Sequence, residues 1–209
     1  IILYLFPMVI ADILKKNFKN FKEIKIKENT FIYFECDQLL DTRVLMTSGL
    51  SEFKMNVHEK HLGEEYAELF FLLPVYWNEK DLFDKENEWV FTCLLKIQRH
   101  IQNENTWIGN GHTFSMKEMS VPFFKKSTFS HFMVSDPIEL NQLLKPIVLE
   151  EKTIRFLALI PLYKNEFSFK EARGTFKMEE KLRQYRVTEK MDGYRESIIK
   201  SRIARLFRR

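Results

Sequence analysis

Two stretches of this chain are apolar on both faces of an extended strand, and they constrain the fold more than any other feature. In Glu65 to Leu73, Tyr66, Glu68, Phe70 and Leu72 point one way and Ala67, Leu69, Phe71 and Leu73 the other, with Pro74 closing the run. Ile154 to Ile160 has the most strongly buried strand character in the sequence. A strand without a polar face has to lie inside a sheet that is covered on both sides.

The rest of the chain supplies neighbours and covers for these strands. Ile24, Ile26 and Phe31 to Phe34 form a predicted hairpin broken at Glu28-Asn29-Thr30, and Arg43 to Thr47 a strand ended by Ser48-Gly49. Thr128 to Val134 and Thr153 to Tyr163 are further predicted strands. From Glu88 to Gln102 the period changes: Trp89, Val90, Cys93, Leu94, Ile97 and Ile101 recur at three- and four-residue steps, which predicts a helix laid on a sheet. Charged stretches from Glu166 to Arg186 and from Asp192 to Phe207 are predicted as closing helices. In the second, Asp192 is the expected cap, Ile199, Ile203, Leu206 and Phe207 the apolar stripe, and Arg195, Arg202, Arg205 and Arg209 a solvated basic face. Strands and helices alternate without a strict βαβ rhythm. The expected fold is therefore α/β (α+β), a mixed β-sheet flanked by helices, formed as a single domain over residues 1–209.

Composition excludes several classes. With 45% hydrophobic residues the chain has too much apolar surface to stay disordered. Two cysteines, Cys36 and Cys93, suggest neither a disulfide framework nor a cysteine-based zinc site, so a reducing, cytoplasmic setting is expected. The longest apolar run, Ile1 to Ala11, is too short to span a bilayer. Net charge is +4, and it is unevenly placed: Leu182 to Arg209 holds nine basic residues against three acidic ones, leaving the body slightly acidic. With no reading motif in that body, nucleic acid is not an expected partner.

Complete catalytic constellations are missing from the sequence. It has no glycine-rich phosphate loop and no dinucleotide fingerprint. His58 and His61 are three residues apart, not the four that put two imidazoles on one helical face around zinc, and are expected to be exposed loop residues. Gly49-Leu50-Ser51 resembles half of a nucleophile elbow, but Phe53 stands where a second glycine is needed. His112 has no nucleophile and orienting carboxylate beside it. Glu68, a carboxylate in an otherwise apolar strand, is expected to be buried and bonded to a cation or hydroxyl. A hydrolase would require Glu68 and His112 to converge. No catalytic residue, cofactor or metal is assigned.

Taken in order, Met46-Thr47-Ser48-Gly49-Leu50-Ser51, Tyr66-Ala67-Glu68-Leu69, Leu73-Pro74, Trp77, Trp89 before its helix, Thr106-Trp107, Gly111-His112-Thr113, Ile160-Pro161-Leu162-Tyr163 with Glu166, and Gly174 form one pattern. It resembles the Suppressor of fused (SUFU) family, bacterial single-domain type, most clearly over residues 45–195, leaving 196–209 as the basic amphipathic C-terminal helix. The resemblance implies a mixed α/β domain without established enzymatic activity. Bacterial members look like immunity proteins that neutralise a cognate polymorphic toxin by direct binding, which is the function expected here. The alternative is a regulatory peptide-binding module like the N-terminal domain of animal Suppressor of fused. In the animal proteins a tyrosine and an aspartate hold the peptide; these positions align with Arg99 and Gly111, and only the adjacent histidine is kept, as His112. Arg99, Trp107 and His112 are accordingly the candidate partner contacts. Thr47, Ser48, Gly49, Glu68, Pro74, Trp77, Trp89, Pro161, Tyr163 and Gly174 are expected to shape the fold.

Overall fold

The structure, a computed structural model, describes residues 6–36, 42–74, 76–119 and 129–199. Helix α1 (Phe6–Asn17) leads into strands β1 (Lys19–Ile26), β2 (Asn29–Cys36), β3 (Thr42–Ser48) and β4 (Tyr66–Leu73). Helix α2 (Trp89–Asn103) follows, then β5 (Thr113–Ser115), β6 (Phe129–Ser135), β7 (Ile147–Val148), β8 (Thr153–Tyr163) and the helices α3 (Lys164–Arg173) and α4 (Thr175–Gln184). The eight strands make one sheet in the order β1-β2-β3-β4-β8-β6-β5, with β7 paired to β8. Among the described strands only β4 and β8 run parallel, and the other pairs are antiparallel. The two strands that lack a polar face are thus neighbours at the centre, the position that their sequences require.

Alternation along these strands divides the core. Ala67, Leu69, Phe71 and Leu73 of β4, with Leu157 and Leu159 of β8, meet the apolar stripe of α2: Trp89, Val90, Cys93, Leu94, Ile97 and Ile101. Phe70 and Leu72, with Ile154, Phe156 and Ala158, face the opposite way onto Ile10 and Leu14 of α1 and onto Leu140 and Leu144. Farther along β8, Ile160 and Leu162 pack with Met178 and Leu182 of α4 and with Ile198. Helix α1 was not expected from the sequence, and the Ile10/Leu14 pair one turn apart is its signature.

The hairpin turn falls at Lys27-Glu28, with Ile26 opposite Asn29, one residue earlier than the break expected from the sequence. Lys27 has φ 55°, the left-handed backbone that a two-residue hairpin loop demands. Cys36 and Cys93 are buried thiols and form no disulfide.

The C-terminal region departs from the expectation of two long helices. The stretch Glu166 to Arg186 is split into α3 and α4 at Gly174, and beyond α4 the chain from 185 to 199 forms no helix. Asp192 caps only a turn, accepting from the Tyr194 N–H at 2.9 Å. The cause lies in the sheet. The β4–β8 ladder stops at Phe70 opposite Ala158, after which the two strands part. The segment after α4 occupies that opening: the Met191 N–H donates to the Leu72 carbonyl, and Lys190 bridges to Leu72 in parallel. An extended chain is needed there, not a helix. Residues 200–209, with Ile203, Leu206, Phe207, Arg202, Arg205 and Arg209 of the expected stripe and basic face, lie outside the described residues.

Arg195 fastens this segment and is not on a solvated face. Its guanidinium pairs bidentately with Glu166, both contacts 2.7 Å, and donates to the Pro161 carbonyl at 2.6 Å. The Tyr163 and Phe129 rings lie over it, 4.9 and 5.0 Å from their centroids. Pro161 sits past the end of the β4–β8 ladder, a place in a strand where a missing N–H is tolerated. Glu166, fully buried, also accepts from the Tyr163 and Ile198 N–H groups. Truncation of Arg195 leaves that carboxylate buried without its cation. Arg195→Ala is therefore expected to destabilise the protein by about 3 kcal/mol. Arg195→Ala combined with Glu166→Gln should recover part of the loss, as read by urea unfolding followed by circular dichroism.

Candidate functional site

The β3–β4 ladder ends at Met46 opposite Phe70, and the side chains of the next residues take over its hydrogen bonding. The Leu69 N–H donates to Thr47 Oγ1 at 2.9 Å, and that hydroxyl donates to Glu68 Oε2. Glu68 Oε1 accepts from the N–H groups of Gly49 (3.0 Å) and Ser51 (3.1 Å) and from the Ser51 hydroxyl (2.7 Å). Gly49 has φ 115°, and nothing lies within 4 Å of where a Cβ would stand, so glycine is required there for backbone conformation alone. The Thr-Ser-Gly-Leu-Ser run is thus a loop folded around one carboxylate. Burial, the largest influence, pushes the Glu68 carboxyl above its usual range, and the four donors pull it back.

The structure brings Trp107 and His112 together, with their rings 4.4 Å apart, and adds a residue that the sequence reading assigned elsewhere. His61 is not an exposed loop histidine: it is half-buried with its ring 4.4 Å from that of Trp107, and of the pair His58 and His61 only His58 is exposed. The spacing argument treated the two histidines as a possible metal pair, whereas the signal that mattered was an aromatic partner from a distant loop. Burial, then Lys170 and His61, hold the His112 imidazole below 6.5. Beside His61, Glu64 is held by Arg155, which also pairs with Asp136 at 2.6 Å.

Gly111 ties this loop to β6 and brings it close against α4. Its N–H donates to the Val134 carbonyl at 2.8 Å, and a Cβ on it would come 2.3 Å from Thr175 Oγ1 at a φ of 87°. The position aligned with the peptide-holding aspartate therefore has no room for a side chain. Arg99 belongs to a different set of contacts. It is exposed on α2, sits 3.4 Å from Glu28 of the hairpin turn, and shares no contact with Trp107 or His112.

Glu68 and His112 do not converge, since the partners of one are Thr47, Gly49 and Ser51 and those of the other are Trp107, His61 and Lys170. Among the described residues no three His, Cys, Asp or Glu side chains gather closely enough to hold a metal ion. No helix among them is long and apolar enough to cross a membrane. The remaining motif positions sit at turns and in the core. The Pro74 carbonyl accepts from the Trp77 N–H at 3.0 Å, Trp77 meets Trp89 edge-on at 6.5 Å, and Trp89 stacks on Phe132 at 5.9 Å. Ser48 pairs with Thr30 at the end of β3, and the Gly174 N–H closes α3 on the Lys170 carbonyl at 2.7 Å.

A mixed eight-stranded sheet whose buried carboxylates hold loops in place defines an α+β domain. The chain belongs to the Suppressor of fused protein (SUFU) family, which it matches over residues 29–196, from β2 to the Arg195 anchor. Its structure is similar to that in the Sufu–Fu complex, with TM-score 0.65 and 16% identity over 96% of this chain and 93% of that one. It is also similar to a SUFU homolog from Neisseria gonorrhoeae, with TM-score 0.63 and 18% identity over 95% of this chain and 98% of that one. Drosophila Suppressor of Fused aligns at TM-score 0.52 and 16% identity over 90% of this chain, which spans 43% of that protein. These likenesses establish the fold. No curated protein matches the sequence.

Two measurements follow from this geometry. Glu68→Ala strands the donors of Thr47, Gly49 and Ser51 and should cost about 3 kcal/mol in urea unfolding, whereas Glu68→Gln, which keeps an acceptor, should cost only about 1 kcal/mol. Because burial pushes the native carboxyl up, its contribution is full in acid and fades as pH rises through its native pKa, so the Gln penalty should be largest in acid and shrink as pH is raised. In an NMR titration the His112 ring should show its midpoint below 6.5 and move upward in a Lys170→Ala variant.

Proposed function

We propose that this chain is a non-enzymatic protein-binding domain that acts as an immunity protein, seating on a cognate toxin domain and blocking it one to one. The observation that carries the reading is the SUFU match over residues 29–196, together with the likeness to Sufu, a protein solved in complex with the protein Fu. The chemistry of the domain agrees with binding without turnover. Glu68 is surrounded by four donors, His112 is packed against an indole, and burial raises the Cys93 thiol far above its ordinary value. None of these groups is poised for general acid–base or nucleophilic work.

The alternative, a regulatory module that grips a peptide as the animal homologues do, is disfavoured by Gly111. Thr175 fills the space into which an aspartate would project. Arg99, Trp107 and His112 are the proposed partner contacts, as cationic and aromatic side chains are enriched among interface hot spots. The protein is expected to act in the cytoplasm.

Expression of a toxin domain encoded beside this gene, with and without this protein, tests the proposal. Survival of the co-expressing cells and inhibition in vitro that saturates at one equivalent are expected. Absence of protection, or protection by far less than one equivalent, would sink it. Arg99→Glu and His112→Ala should each weaken the complex by about tenfold or more while the unfolding midpoint of Arg99→Glu stays unchanged.

A further inference from the structure

Helix α2 and the β1–β2 hairpin enclose an open groove of about 580 Å³. Its floor is apolar: Ile26 of the hairpin, Phe91 and Leu95 of α2, and Phe83 of the short turn that precedes α2. Phe83 is the informative residue. Its ring stacks on Phe91 at 6.1 Å, and Phe91 is itself held edge-on against Phe31 in the core, yet Phe83 remains 51% exposed. An aromatic ring attached to the core and left half in water at the bottom of a concave surface is a surface waiting for cover.

The rim carries the opposite character. Lys25 and Lys27 stand on the hairpin side and Lys96 and Arg99 on the helix side, against a single lining carboxylate, Glu88. Two of these cations are partly engaged, Lys96 with the Met119 carbonyl and Arg99 with Glu28. Lys25 at the end of β1 and Lys27 in the hairpin turn are both exposed. An apolar floor between two basic walls complements a chain segment that carries a large apolar side chain flanked by carboxylates. A nucleic acid fits less well: the floor is partly aliphatic, and Glu88 and Glu28 interrupt any continuous cationic track for phosphates.

We infer that this groove is the docking site for an acidic segment of a protein partner, anchored by an apolar side chain against Phe83 and held by Lys25, Lys27 and Arg99. The inference rests on the protein-binding reading above and adds to it a face and a chemistry for the partner. Of the three residues proposed as contacts, it assigns the groove to Arg99 and leaves Trp107 and His112 outside it.

The test uses the whole chain and three probes: a short Asp/Glu-rich peptide with a central phenylalanine, the same peptide with Asn/Gln in place of the acids, and a single-stranded oligonucleotide. In amide NMR spectra the acidic peptide should shift signals of the hairpin turn, Phe83 and α2. Lys25→Glu with Lys27→Glu, and separately Phe83→Ser, should each raise its Kd by about tenfold or more, with added salt weakening the first contact more than the second. Lys25 and Lys27 are exposed, so the double variant should keep the wild-type unfolding midpoint, and Phe83→Ser, which removes the stacking on Phe91, is compared at a temperature where it is fully folded by circular dichroism. Equal binding of the Asn/Gln peptide, tighter binding of the oligonucleotide, or shifts elsewhere on the domain would overturn the inference. The neutralisation assay separates the two readings. Full protection by the Lys25→Glu/Lys27→Glu variant overturns the groove and leaves the immunity reading standing, whereas groove binding by a wild-type chain that protects against nothing overturns immunity alone.

Discussion

Burying a carboxylate in an apolar core is costly unless every one of its oxygens is answered, and among the described residues this domain does it three times. Glu68, Glu166 and Glu189 are all fully buried. Each stands where a regular element has run out and loop backbone needs acceptors. Glu68 serves the loop after β3, Glu166 the junction of β8 with α3 and the strand-like C-terminal segment, and Glu189 the N–H groups of Ile138, Glu139 and Leu140. A backbone carbonyl, with two lone pairs, accepts at most two such donors; a carboxylate gathers three or four at a point. The loops at both ends of the central strands therefore have defined shapes although little regular structure holds them. These shapes set the surfaces that a partner meets.

Much of the sheet was legible because its signals are local. The both-sided apolar runs in β4 and β8 and the three-four spacing in α2 depend only on residues within each element. Glu68 was legible for the same reason, as a lone carboxylate among apolar neighbours, although the identity of its donors was not. The C-terminal segment was misjudged because its conformation is set by distant partners. Asp192 to Ile199 has the charge and spacing of a helix, but the opening between β4 and β8, the Glu166 carboxylate and the rings of Phe129 and Tyr163 require an extended chain. Tertiary context overrode propensity there.

The candidate site divides along the same line. Trp107 and His112 are five residues apart and meet as neighbours, but the approach of His61 needs the loop before β4 to reach the loop after α2. Arg99 lies close in sequence to both and yet faces the hairpin, where its guanidinium meets Glu28. Proximity in sequence was a poor guide to a shared surface.

The parallel pairing of β4 with β8 also bears on how the protein is made. The two central strands are separated in the chain by α2, β5, β6 and β7, so a ribosome releases β4 long before its partner exists. During that interval the nascent chain can form at most the meander β1 to β4, in which the β4 edge, the most apolar of the four strands, lacks the partner it has in the finished sheet. Such an edge invites pairing with another copy, and long-range closure of this kind is slow. Chaperone occupancy of ribosome-bound fragments should accordingly be highest after Leu73 has emerged and fall sharply once Tyr163 is free of the exit tunnel. Fragments that stop between these points should accumulate as aggregates.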